Sequence, residues 1–168
     1  MSPIACAITL DESLRFAALS GDFNPLHVDP VQARRLPFGK TVVHGVSIVM
    51  RALDVAFAQH GGGTLAKLHV QFDSPILTGE TFQVAAERSG PSFTIRILNA
   101  KGVAQRVSAV LADTRLDGPE IVATAAAPVC RDLDFEAAAG ASGTLPFAWS
   151  HDGASALYPT LSKLAPAW

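Results

Sequence analysis

Asp22 and His27 stand five positions apart in Gly21-Asp22-Phe23-Asn24-Pro25-Leu26-His27. An Asn-Pro turn folds such a spacing so that both side chains address one point. A carboxylate and an imidazole within reach of one water form a general acid/base pair. The same residues also serve as a turn cap and a satisfied polar histidine, and spacing alone leaves both readings open. Further on, His44-Gly45 opens a long apolar run, VSIVMRALDVAFAQH. Free N–H groups at a helix start, with a glycine permitting close approach, make an oxyanion site. A glycine that merely packs under strands is the alternative there.

The elements that must position these groups are legible nearby. Thr9-Leu10-Asp11-Glu12 has the capping-box form, so SLRFAALS reads as a short helix of about ten residues stopped by Gly21. Asp29-Pro30 reads as the cap and first residue of another short helix through Arg35. After His44-Gly45, residues Val46, Val49, Met50, Leu53 and Phe57 follow helical spacing until Gly61-Gly62-Gly63. A helix apolar on nearly every side is a buried one.

From Leu65 the period becomes two. Leu68, Val70 and Phe72 alternate with polar residues, as do Phe82, Val84 and Ala86, then Phe93, Ile95 and Ile97. Val103, Val107 and Leu111 share one parity in a fourth run. Four half-buried strands joined by turn chemistry at 75–80, 89–91 and 99–102 predict an antiparallel meander. One long buried helix covered by such a sheet is an α+β fold, with the sheet wrapped around the helix.

The 168 residues suit one domain or one domain with an extension. With 49% hydrophobic and 17% charged residues, the chain is not intrinsically disordered. Thirteen Lys and Arg against fifteen Asp and Glu show no basic stripe, so no nucleic-acid or membrane partner is expected. Cys6 and Cys130 form no disulfide framework or ligand pairing, and His27, His44, His60, His69 and His151 are scattered without ligand spacing. No metal is therefore expected. The N-terminus lacks a signal-peptide pattern and no apolar run reaches spanning length, which points to the cytoplasm. Residues 118–143 are rich in Ala, Gly and Pro. We read 118–150 as a linker or surface arm, with one more short helix over 155–164. The end at Trp168 reads as the front piece of a longer polypeptide, with 118–168 as a C-terminal extension leading to a further domain.

The stretch Phe16-Ala17-x-x-Ser20-Gly21-Asp22-x-Asn24-Pro25-x-His27-x-Asp29, continuing through Ala33, Phe38-Gly39 and Val43-His44-Gly45, resembles the signature of MaoC-like (R)-specific enoyl-CoA hydratases, the hydratase-2 group. The resemblance implies a hot-dog domain over 1–117 and a hydro-lyase that adds water syn to trans-2-enoyl thioesters, on CoA or an acyl carrier protein, without a cofactor. It implies that Asp22 activates the water. His27 holds that water and relays a proton to the α-carbon, and the Gly45 N–H stabilises the enolate. Asn24 shapes the loop, while Asp29 and His44 match signature positions with structural roles. Val46, Val49, Met50, Leu53 and Phe72 are candidate linings of the acyl tunnel, and a homodimer is expected. Two other readings are a hot-dog acyl thioesterase, which as a rule lacks this string, and a non-catalytic acyl-thioester-binding or dimerisation module.

Overall fold

The computed structural model describes residues 2–112 and 151–164. In chain order these form β1 (Ile4–Cys6), α1 (Leu10–Ser20), α2 (Pro25–Val28), α3 (Pro30–Ala33), α4 (Gly45–His60), β2 (Leu65–Phe72), β3 (Phe82–Ser89), β4 (Ser92–Asn99) and β5 (Gly102–Leu111), followed by α5 (His151–Leu157) and α6 (Pro159–Leu164).

Local chemistry explains the helices. The Thr9 side chain accepts from the Glu12 N–H while Glu12 accepts from the Thr9 N–H, which closes the capping box of α1. Gly21 ends α1 at φ 76°, in the left-handed region that glycine enters without a Cβ penalty. Asn24 and Asp29 each accept from backbone N–H groups ahead of a proline, and so start α2 and α3. The second of these is shorter than expected and ends at Ala33.

One antiparallel sheet, in the order β1-β3-β4-β5-β2, wraps α4 in an α+β hot-dog fold. Ile48, Val49, Ala52, Leu53, Ala56 and Phe57 on the helix meet Phe82, Val84, Phe93, Ile95, Ile97 and Val107 on the sheet, all buried. Each Val, Leu, Ile or Phe among them contributes about 1.5–3 kcal/mol when fully buried.

β3, β4 and β5 match the alternation, but the order does not follow a simple meander. Only β3, β4 and β5 are consecutive neighbours. β2 pairs with β5 at the far edge, and the unanticipated β1 covers the edge of β3. The link over residues 73–81 therefore crosses the sheet instead of closing a hairpin. Contacts remote in sequence pin it: Asp73 and Ser74 N–H donate to the Ala104 carbonyl, Val43 N–H to Ile76, Thr78 N–H to Thr41 and Gly79 N–H to Ile8. β2 is also far more exposed than a half-buried strand, with Leu68 and Phe72 at 45% and 54% exposure.

The C-terminal segment forms two short helices, divided where Pro159 starts α6. Ala154, Leu157 and Tyr158 join Phe16 and Leu19 of α1 in a second apolar cluster, with Met50 of α4 packed against it. The buried Asp54 carboxylate on α4 accepts from the N–H groups of Thr160 and Leu161 at 2.7 and 2.9 Å, so α4 caps α6. Burial pushes the Tyr158 hydroxyl up to about 12, and that hydroxyl bonds Ser47 Oγ at 2.8 Å near the start of α4. The expected linker over 118–150, and Cys130 within it, lie outside the described residues. Among those described, no helix is long and apolar enough to cross a membrane.

Candidate active site

Asp22 sits in the loop between α1 and α2, and its geometry is built by neighbours in sequence. Its Oδ1 accepts from the Asn24 N–H at 3.1 Å, while the Asn24 Oδ1 accepts from the Leu26 N–H at 3.0 Å. One carboxylate oxygen is thus committed to the turn and the other, Oδ2, faces two imidazoles. His27 Nε2 lies 4.0 Å and His44 Nε2 3.8 Å from Oδ2.

The tautomers follow from the carbonyls. His27 Nδ1 lies 2.7 Å from the Val42 carbonyl, which only accepts, so Nδ1–H donates and the neutral ring keeps its lone pair on Nε2, towards Asp22. Val42 N–H in turn donates to the Leu26 carbonyl at 3.0 Å, which locks α2 against residue 42. The 4.0 Å gap exceeds hydrogen-bond reach, and one oxygen held about 2.8 Å from both groups spans it.

His44 lies beneath this pair, 3% exposed, its ring stacked on His27 at a centroid distance of 4.0 Å and flanked by Phe16 at 4.9 Å. By the same reasoning its Nε2–H donates to the Asp22 backbone carbonyl at 3.0 Å, leaving buried Nδ1 without a hydrogen-bond partner. Burial holds the His44 imidazole below its ordinary value, and protonation of the neighbouring His27 would lower it further, against the opposing pull of the Asp22 carbonyl and carboxylate. Protonating Nδ1 would create a buried donor with nothing to bond, so His44 is a neutral prop under Asp22 and His27.

Asp22, His27 and His44 offer donor atoms within 4.8 Å of one another. The imidazole planes differ by only 26°. A metal held about 2.0–2.1 Å from each Nε2 must lie near both ring planes, and two stacked, nearly parallel planes do not allow it. The two imidazoles are therefore poorly arranged to hold one ion between them.

A cavity of about 340 Å³ opens beside His27. Its walls include His27, Gly45 and Ile48, the crossing link at Asp73, Ser74, Pro75 and Ile76, and Phe72 and Gln105 from the sheet. No side chain caps α4, whose first residue is Gly45. The Gly45 N–H therefore stands at a helix start on the cavity wall, where the macrodipole favours negative charge. A Cβ on Gly45 would come within 2.7 Å of Phe72 Cε1, so glycine permits the close packing of this wall.

Of the expected site residues, His27, Gly45 and Phe72 line this cavity, while Asp22 adjoins it through His27 and Asn24 shapes the turn that carries Asp22. The other tunnel candidates go elsewhere, because a helix turns about 100° per residue and only one flank of α4 meets the cavity. Val49 and Leu53 point into the sheet core, Met50 packs towards α1 and α5, and Val46 is 57% exposed. Ile48 takes the lining position from α4. Sequence reasoning missed Gln105 and the crossing link. The only signal for Gln105 was a polar residue at inward parity between Val103 and Val107.

A helix enclosed by an antiparallel sheet, with a carboxylate and an imidazole close to its N-terminus, defines a hot-dog protein with a polar site at that helix start. Residues 2–110 match the MaoC like domain family, and the chain belongs to that family. It is 35% identical over 72 residues to the peroxisomal hydratase-dehydrogenase-epimerase of Saccharomyces cerevisiae, covering 43% of this chain and 8% of that one. To the 3-hydroxyacyl-thioester dehydratase Y of Mycobacterium tuberculosis it is 32% identical over 106 residues, covering 59% and 37%. A solved (R)-hydratase from A. caviae, involved in PHA biosynthesis, superposes with a TM-score of 0.52 at 28% identity, over 65% of this chain and 90% of that one. The chain thus spans well under half the length of these two curated relatives.

Proposed function

We propose that this chain is a hydro-lyase that reversibly hydrates trans-2-enoyl thioesters, carried on CoA or an acyl carrier protein, to (3R)-3-hydroxyacyl thioesters. The observation that carries this reading is the 4.0 Å separation of Asp22 Oδ2 and His27 Nε2, one water wide, with His27 and Gly45 on the same cavity. Hydration needs a base for water, a proton for the α-carbon and a dipole for the enolate oxygen. Asp22 takes a proton from the bridging water as its oxygen bonds to the β-carbon. The electron pair of the double bond moves towards the thioester oxygen, which accepts from the Gly45 N–H. Asp22 passes that proton to His27 Nε2, which delivers it to the α-carbon as the carbonyl re-forms, so that both side chains return to their starting states and the sum is addition of H and OH with no redox change. Similarity to the mycobacterial 3-hydroxyacyl-thioester dehydratase and the A. caviae (R)-hydratase supports this class of reaction.

Loss of the conjugated enoyl absorbance of crotonyl-CoA tests the reading, with wild type and Asp22→Asn assayed together. Turnover by wild type, an (R)-3-hydroxyacyl product, and a drop of about 10²–10⁴-fold in Asp22→Asn are expected. Equal rates in the two proteins, or release of free thiol instead, overturn it. The working unit we propose is a homodimer formed about β2. Its outer edge has no partner strand among the described residues, and Leu68 and Phe72 on β2 are exposed apolar groups.

A further inference from the structure

Gln105 is 2% exposed, lines the cavity, and its Oε1 has no hydrogen-bond partner. Its position in the sheet makes this unusual. Cross-strand rows run over the face that meets α4: Leu68–Ala109–Phe93, Val70–Val107–Ile95 and Phe72–Gln105–Ile97. The first two rows carry an apolar residue in the middle strand. The third, which borders the cavity, carries an amide. Its outer member Phe72 is half exposed and its inner member Ile97 fully buried, so the row descends from the cavity mouth into the core. Packing does not demand glutamine there, since methionine or leucine fills a similar volume without burying polar atoms. A buried amide oxygen left unpaired is unfavourable unless something bonds it. The terminal amide torsion of glutamine is broad, so the group can turn either end towards an occupant of the cavity.

Resting on the reading of this cavity as a thioester site, we propose that Gln105 is a specificity residue that recognises a hydroxyl on the acyl chain, so that hydroxylated acyl thioesters are preferred to plain alkyl ones. A hydroxyl donates and accepts, and thus pairs with either end of the amide. The depth of Gln105 assigns it to the acyl chain. The pantetheine arm is long and polar, must reach solvent, and fits the mouth beside Phe72 and Asp73.

Calorimetric binding tests this without turnover. The probes are hexanoyl-CoA and its 3-, 4-, 5- and 6-hydroxy analogues, with wild type and the near-isosteric Gln105→Met, whose fold is checked by circular dichroism. We expect at least one of the 4-, 5- and 6-hydroxy compounds to bind wild type about tenfold or more tighter than hexanoyl-CoA, the worth of one well-made hydrogen bond. We expect Gln105→Met to abolish that preference while holding hexanoyl-CoA at least as tightly. Three results overturn the proposal. One is no preference in wild type, or no binding. Another is equal loss of all probes in the variant, which assigns the amide to pantetheine. The third is a preference confined to the 3-hydroxy compound, which makes Gln105 a positioning group for the reacting oxygen. Because binding is read directly, a failed hydratase assay leaves this result interpretable, and a failed preference leaves the hydratase reading standing.

Discussion

Gly45→Ala separates the two jobs given to the start of α4, close packing and charge stabilisation. The new methyl would lie 2.7 Å from Phe72 Cε1 and 3.1 Å from Cδ1, so something must move. What moves is the far end of a ring that is 54% exposed, and pushing it off its rotamer costs about 0.5–1.5 kcal/mol. Replacing glycine at a helical position returns about 0.4–1 kcal/mol by restricting the unfolded chain. The two nearly cancel, so the melting temperature should move by no more than about 2–4 °C for a chain of this length. Catalysis should not be spared. The methyl enters the wall from which the N–H must meet a thioester oxygen, and one lost oxyanion donor is worth about 2.7–4 kcal/mol, or 10²–10³ in kcat. Phe72→Ala and the double variant decide the cause. If the displaced ring is responsible, the double variant matches Phe72→Ala. If the methyl itself blocks the oxygen, the double variant stays about 10²-fold below Phe72→Ala. Enoyl thioester turnover and thermal melts on the four proteins provide both readouts. A Gly45→Ala protein with wild-type kcat/KM refutes the assignment of this N–H.

Three further outcomes are expected. Because the folded His44 lies below its ordinary value of 6.5, the unfolded chain binds more protons in mildly acidic solution. Stability should therefore be complete above about 6.5 and fall as the pH drops from there towards the lowered folded value, and the decline should be shallower in His44→Gln, read as urea midpoints over a pH series. A decline of equal slope in the two proteins counts against the neutral prop. Asp54→Ala strips the Thr160 and Leu161 N–H groups of their shared acceptor, so the urea midpoint should fall by an amount equivalent to about 1–3 kcal/mol, with Asp54→Asn in between; an unchanged midpoint would mean that α6 docks without this cap. Leu68→Asp puts a charge on a half-exposed apolar side chain of the edge strand β2 and should convert a dimer to monomer in light scattering, whereas a wild-type monomer removes the proposed interface.

What could be read from the chain alone is what neighbours in sequence decide. The Thr9–Glu12 box, the Asn24-Pro25 turn, the Asp29-Pro30 start and the glycine after Ser20 act over three or four residues, so α1, the turn and α3 were legible, whereas the short helix α2 inside the turn and the distance between Asp22 and His27 were not. The apolar spacing of α4 and the two-residue period of β3 to β5 likewise report burial one residue at a time. Periodicity says which face of a strand is buried, and it is silent on which strand lies alongside. For that reason the pairing of β2 with β5, and the crossing link that walls the cavity, awaited the tertiary structure. The same holds for His44 stacked under His27, for Asp54 capping α6, and for the neighbours of Gln105. Each of these rests on groups brought together by the packing of the sheet on α4, where the free energy comes from burial shared across the whole core and no short segment carries its trace.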